Sequence, residues 1–413
     1  MIQEKEINIT KSEYRTFTTF KFYSRFLPDV RNFYAHNPVD EPPTFSFLES
    51  CYIDSSCLPL IISLGNSLKQ FHNKPIPLLL NNIPGTLSNK VLNYLDKSDF
   101  FYLVGDNSNP YFPIGRKIFD FDNRMLGWNT SNVTVRKEHK VKGYSLTDLK
   151  IPNFKNLPED YQRDKLIEHF SFVVDSDFDD IFRDNQITTE NRYQFIDYLS
   201  ELIANSLVHS DSDCFLSFHT NKFKTAISIS DTGIGLYDSL HRKKTQRGVY
   251  NLAELSNTLK NQITIKLEDR VKNNFLSIFE ALFYSCLKDR RGLFDLMCSI
   301  VLQGHGIFRI HNYSVQLIIS SKLDNELKQL YDIREVIFKN LISLKNKEGG
   351  SKETMKTLND LSEKAKQLFM NLFTKVTMNY SNDIHYSSVR FFNVEFKGVH
   401  IEAEIPRTYS TEE

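Results

Sequence analysis

The stretch from Glu190 to Leu236 constrains the fold more than any other part of the chain. Residues 190–208 carry Phe195, Ile196, Leu199, Leu202, Ile203 and Leu207 at the three- and four-residue spacing of an apolar helix face. Two short runs of β-favouring residues follow, 214–219 and 225–230, joined as a hairpin through Thr220-Asn221. The second run ends in Ser230-Asp231-Thr232-Gly233-Ile234-Gly235-Leu236. A helix, an antiparallel pair and an acidic glycine turn in that order imply a sheet covered by helices.

The other face of that helix is polar. Glu201, Asn205 and His209 lie four residues apart and share one stripe, so a carboxylate, an amide and an imidazole are presented together. Read alone, such a stripe is also what a solvated helix face looks like. The turn after it places the acid Asp231 at a strand end, followed by Gly233 and Gly235, whose missing side chains let backbone approach a ligand. That suits recognition of a base donor and a nucleotide; a plain turn has the same composition. Further on, Arg290-Arg291-Gly292-Leu293 opens a helix, and Gly304-His305-Gly306 precedes a short strand at 307–310. Two arginines beside the free N–H groups of a helix start make an anion site, or simply an ordinary helix end.

The first third of the chain alternates differently. After the turn signals Asn37-Pro38 and Pro42-Pro43, the pattern predicts a strand at 44–53 and a helix at 55–71 with Leu58, Ile61, Leu64, Leu68 and Phe71 on one stripe. A strand at 75–80, a helix at 88–95 and a strand at 100–104 follow. This β-α-β-α-β order implies a small α/β domain, with 105–150 as a connector holding two or three strands. Near the other end, 273–287 and 293–302 read as helices. A Lys/Glu/Leu-rich segment, 324–377, reads as a helical hairpin broken at Gly349-Gly350, with Leu361, Leu368 and Leu372 on one face. Residues 391–396 and 399–405 read as closing strands. The expected organisation is 1–150 and 151–413, with a helical insertion at 324–380.

Composition narrows the partners. The 413 residues contain 51 Lys+Arg and 51 Asp+Glu, a balance that argues against a generally basic nucleic-acid coat or a polybasic membrane binder. The longest apolar runs, such as 58–64, fall well short of the roughly 20 residues that span a bilayer, and the N-terminus has no signal-peptide pattern. The five cysteines have no CxxC spacing, so neither a disulfide framework nor a zinc site is expected. The expectation is a reduced, cytoplasmic chain with no membrane or nucleic-acid partner.

Taken together and in order, the three polar patches resemble the GHKL superfamily, the Bergerat-fold ATPases of gyrases, heat-shock chaperones, mismatch-repair proteins and histidine or anti-sigma kinases. ELIANSLVHS, residues 201–210, resembles that family's N box, SDTGIGL its first glycine box, and RGLFDL its second. The segment from Phe396 through Lys397-Gly398-Val399 to Pro406 is similar to its closing strand. The resemblance covers about residues 160–408 apart from the helical insertion, and implies an α+β fold with a C-terminal Bergerat α/β sandwich. It implies Mg²⁺ and ATP as ligands, with Asn205 holding Mg²⁺ bridged to the triphosphate and Asp231 accepting the adenine amino group. Gly233 and Gly235 would let backbone follow the nucleotide, and Arg291 with Gly292 would sit near the phosphates under a lid. Glu201 occupies the general-base position of the hydrolysing members, while His209 is expected to be structural. Three features depart from the family: Val399 follows Gly398 where Gly-Thr is common, the 236–290 lid holds only Gly248, and Arg247-Gly248 is a rival second glycine box.

Residues 43–105 carry a second resemblance. Asp54-Ser55-Ser56-Cys57 at a strand-to-helix turn is similar to the DSSG turn of STAS domains, whose second serine, here Ser56, is phosphorylated by GHKL-type kinases. Cys57 stands where that family has glycine, and a plain helix cap by Asp54 or Ser55 accounts for the same residues. The functions that follow are an ATPase switching a lid and its contacts with a protein partner or a second copy, a serine kinase acting on Ser56 or a separate STAS partner, or a nucleotide-gated module without turnover.

Overall fold

The computed structural model describes residues 6–48, 51–106, 115–126, 137–149, 154–210, 212–242, 249–345, 351–381 and 387–407. The chain falls into two compact units, Met1–Gly233 with Asn393–Phe396, and Ile234–Phe392 with Lys397–Glu413. Helices and strands are mixed in both, and parallel as well as antiparallel pairing occurs.

In the first unit, β1 (Glu6–Asn8), β3 (Thr44–Phe47), β5 (Ile76–Leu80) and β6 (Phe119–Asp120) form a parallel sheet in that order. A separate parallel pair joins β2 (Thr16–Phe17) to β4 (Tyr52–Ile53). Parallel pairing needs crossover segments, and these are α1 (Thr19–Lys21), α2 (Leu27–His36), α3 (Leu58–His72), α4 (Leu87–Lys97) and α5 (Phe100–Val104). The same unit contains β7 (His139–Tyr144), β8 (Cys214–Thr220) and β9 (Lys224–Asp231), an antiparallel sheet in register Val141↔Ser217 and Ser217↔Ser228. Two long helices, α6 (Glu159–Asp184) and α7 (Thr189–Ser210), pack on each other.

Helix α3 is apolar almost all round and is buried almost all round: Leu58, Leu60, Ile61, Ile62 and Ser63 have no exposed surface. It packs on β8 and β9, whose facing residues are small. Ser63 Oγ donates to the Ser230 carbonyl at 3.3 Å, and Ser228 Oγ to the Ser56 carbonyl at 2.8 Å. Gly65 allows a second close approach, to β6, since a Cβ there would lie 2.4 Å from the Phe119 ring.

The second unit holds α8 (Leu236–Arg242), α9 (Glu254–Lys260), α10 (Asp269–Cys286), α11 (Leu293–Cys298), α12 (Asp324–Lys345) and α13 (Ser351–Met378), with β10 (Ile307–Ile319) paired to β11 (Val389–Pro406). The segment read as an insertion is part of this unit's core. Phe369 and Phe373 of α13 have no exposed surface. Phe373 meets Phe275 and Phe279 at ring distances of 5.2 and 5.0 Å, and Phe369 meets Phe283 at 5.5 Å and Phe294 at 5.7 Å.

Four local expectations need correction. Residues 100–104 form helix α5 rather than a strand. The Leu103 N–H donates to the Asp99 carbonyl and the Gly105 N–H to that of Phe101, both at 3.0 Å; a short run apolar throughout carries no period that separates the two forms. The strand expected at 44–53 stops at Phe47, and β4 pairs with β2 instead. The closing strands are one strand, β11, which passes through Gly398 in the left-handed region at φ 106°. Strand β10 runs far beyond 307–310. The Gly349-Gly350 break lies outside the described residues.

Two measurements test this packing. Phe373→Ala leaves a cavity against the Phe275 and Phe279 rings and is expected to cost about 3–5 kcal/mol in denaturant unfolding, whereas a merely solvated hairpin would lose almost nothing. His139 stacks on Tyr94 at 4.1 Å with Nε2 2.8 Å from the Tyr94 carbonyl oxygen, and burial lowers its pKa to about 4. The unfolded chain takes up this proton near pH 6.5 and the folded chain only near pH 4. Stability is therefore complete above about pH 6.5 and falls by about 3 kcal/mol as pH drops through that window. Burial lowers His219 in the same sense, so His139→Gln should reduce the slope without abolishing it; an unchanged slope would contradict the assignment.

Candidate functional site

The polar stripe of α7 does not face open solvent; it faces α6. Arg163, in the first turn of α6, lies on the stripe that continues through Leu166, Phe170, Val174 and Phe178, and is 5% exposed. Its guanidinium donates through Nη2 to both carboxylate oxygens of Glu201 and through Nε to Asn205 Oδ1 at 3.2 Å. Asn205 Nδ2 in turn donates to Glu201 Oε1 at 2.7 Å, and Asp164 approaches Arg163 at 3.7 Å. Glu201 and Asn205 are thus brought together as the helix spacing requires, with a cation that the sequence reading did not single out. The available signal was a lone basic residue on an otherwise apolar stripe. The side chain of His209 lies outside the described residues.

Asp231 closes β9 in the same unit and is 3% exposed. Its Oδ1 accepts from the Gly233 N–H at 3.1 Å, so the acid and the first glycine form a tight turn, and the Thr232 N–H donates to Ser212 Oγ at 3.3 Å. Burial and the facing Asp231 charge hold the thiol of Cys214, its register partner, well above the usual range.

Gly235, Arg291 and Gly292 belong to the second unit. Gly235 is a glycine for a reason internal to that unit: a Cβ would lie 2.1 Å from the Tyr313 ring and 2.7 Å from Asn312 Oδ1. The same Oδ1 accepts from the Leu236 N–H at 3.1 Å, while Asn312 Nδ2 donates to the Asn274 carbonyl and to Ser277 Oγ. The groups expected to meet an anion at the start of α11 are engaged by protein. The Gly292 N–H donates to Asp295 Oδ2 and the Phe294 N–H to Ser285 Oγ, both at 3.0 Å. Arg291 pairs with Glu335 at 3.0 Å and with Asp295 at 3.4 Å, and its guanidinium lies 5.3 Å from the Phe338 ring centre. The buried Arg334 of α12 completes the cluster: it donates to both Asp295 oxygens and to the carbonyls of Cys286, Lys288 and Arg290. The rival pair Arg247-Gly248 lies outside the described residues.

Ser56 is 6% exposed, and its N–H donates to Asp54 Oδ1 at 2.9 Å. Asp54 therefore caps the turn, and a buried hydroxyl cannot take a phosphoryl group unless the turn opens. All five cysteines are buried thiols outside any disulfide. Among the described residues no three or more His, Cys, Asp or Glu side chains gather as a metal cluster, and no helix is long and apolar enough to cross a membrane. In the second unit, a cavity of about 200 Å³ is lined by Tyr237, His241, Lys260, Ser277 and Glu280, among others. The Glu280 carboxylate accepts from Tyr250 and from both the N–H and Oγ of Ser256, each at 2.7 Å, which makes it a cap for α9. Sequence reading had no means to find it.

No protein-family model, no curated protein and no solved structure matches this chain.

The close approach at Gly235 is open to test. Gly235→Ala should lower stability by about 1–3 kcal/mol because ring and methyl overlap, and adding Tyr313→Gly, which also relieves the φ of 57° at that position, should recover part of the loss. Equal thermal midpoints for Gly235→Ala and wild type would contradict it.

Proposed function

We propose that the chain binds an adenine nucleotide with Mg²⁺ and hydrolyses ATP. The observation that carries this reading is the pairing of Glu201 with Asn205 on α7, in the same compact unit as the buried Asp231–Gly233 turn. Its second support is the order of the three motifs along the chain, which resembles GHKL ATPases. The same resemblance supports a Bergerat sandwich for the second motif-bearing segment and a STAS-like fold for the first.

The donor types fit Mg²⁺, which prefers oxygen ligands and is commonly held by one or two protein groups plus substrate phosphates. Asn205 offers an amide oxygen and Glu201 a carboxylate beside it. The ion would neutralise phosphate charge. Asp231 would accept the adenine amino N–H on its carboxylate, beside the Gly233 N–H that Oδ1 already accepts. In hydrolysis, the oxygen of water bonds to the γ-phosphorus, the bond to the β–γ bridging oxygen breaks, and ADP and phosphate form. Glu201 orients the water and takes its proton on a carboxylate oxygen, then releases it to solvent. Lid closure on nucleotide would change contacts with a protein partner or a second copy. No observation favours phosphate transfer to Ser56, whose hydroxyl is buried.

The test compares wild type, Asp231→Asn and Glu201→Gln by calorimetric nucleotide binding and by phosphate release. Gln keeps an acceptor for Arg163 but cannot take a proton. Wild type is expected to bind ATP with Mg²⁺. Asp231→Asn should bind at least about tenfold more weakly, and Glu201→Gln should still bind, with turnover reduced about 100-fold or more. A wild-type protein that binds no adenine nucleotide would overturn the proposal, and binding without turnover would reduce it to a nucleotide-gated module.

A further inference from the structure

Resting on that functional reading, we propose that Arg163 competes with Mg²⁺ for the oxygens of Asn205 and Glu201, and so sets how much Mg²⁺ the site demands. The three side chains bond to one another: one guanidinium donates to Asn205 Oδ1 and to both oxygens of Glu201, and Asn205 donates back to Glu201. The Arg163 side chain is 6% exposed and that of Glu201 15%, so this pairing is formed largely out of water, where ionic contacts are stronger than at a surface. Mg²⁺ requires short, near-octahedral oxygen contacts and gives up its water reluctantly. A guanidinium on the same amide oxygen brings a second positive charge against it. The two cations therefore exclude one another, and any free energy that Arg163 gains from the oxygens is lost from metal binding by linkage.

Arg163 is thus a positioning residue rather than a catalytic one. While no metal is bound it holds the carboxylate and amide in their relative geometry, and it raises the Mg²⁺ concentration at which the nucleotide is bound. Chain geometry makes this specific, because no other described cation contacts Glu201.

The test uses the full chain and a fluorescent ADP derivative, so that turnover plays no part. Binding is followed as Mg²⁺ is titrated into wild type, Arg163→Lys and Arg163→Met. Half-saturation with Mg²⁺ is expected about tenfold lower in Arg163→Met, the size of one charge-assisted hydrogen bond, with Arg163→Lys between the two. A merely structural Arg163 would change the amount of folded protein but not this midpoint. Nucleotide binding with an unchanged or raised midpoint in Arg163→Met overturns the proposal, as does loss of nucleotide binding at every Mg²⁺ concentration in folded Arg163→Met. Should the single variant fail to fold, Arg163→Gln replaces it, keeping an N–H donor for Glu201 and Asn205 without the charge. A lowered midpoint there supports competition and an unchanged one overturns it. If wild type binds no nucleotide at any Mg²⁺ concentration, the ATP reading itself fails and the competition falls with it, an outcome distinct from binding without a shift.

Discussion

A buried guanidinium must find a carboxylate and a full set of acceptors, and two of them organise this chain. Arg163 in the first unit and Arg334 in the second are each almost or wholly inaccessible to solvent. Removing either carboxylate partner would leave a charge stranded where it costs several kcal/mol. Arg334 satisfies its donors with Asp295 and three backbone carbonyls, and this fixes the loop before α11 to α12. Arg163 satisfies its donors with Glu201 and Asn205, and this decides what the polar face of α7 can do. One constraint, applied twice, gives a structural staple in one unit and the candidate chemistry in the other.

Close packing supplies the second layer. Helix α3 reaches β8 and β9 because the facing positions are Ser63, Ser228 and Ser230, and Gly65 allows its approach to Phe119 of β6. Protein interiors tolerate little slack, and in the second unit the phenylalanines of α13 and α10 fill the space between those helices. Asp54 ends one strand and starts one helix by capping the Ser56 N–H. That local role accounts for the DSS turn without any modification chemistry.

Much of this was legible in the sequence. The runs that form α3, α7 and α10 are long enough to read as helices, and β8 and β9 are short β-favouring runs with a polar turn between them. What failed were features that depend on neighbours. Residues 100–104 are apolar at nearly every position and so carry no period; their helix follows from Asp99 in the left-handed region at φ 63°. The hairpin of α12 and α13 reads as an insertion by its Lys/Glu content, yet Phe369 and Phe373 bring it into the core. The pairing of Glu201 with Asn205 follows from helix spacing, but Arg163 is some forty residues away in sequence, and only the packing of α6 on α7 reveals it. The sequence presents Gly235 as a backbone approach to a ligand, and the structure adds the Tyr313 ring and Asn312 Oδ1 where a Cβ would lie.

The central claim is that α7 and the turn after β9 receive a nucleotide. Hydrogen exchange of the full chain, with and without Mg²⁺ and ATP, tests it most directly. The account expects added protection at two places in the first unit, the last turns of α7 around Glu201 and Asn205 and the turn from Asp231 to Gly233. Exchange unchanged at both places under saturating Mg²⁺ and ATP would contradict it.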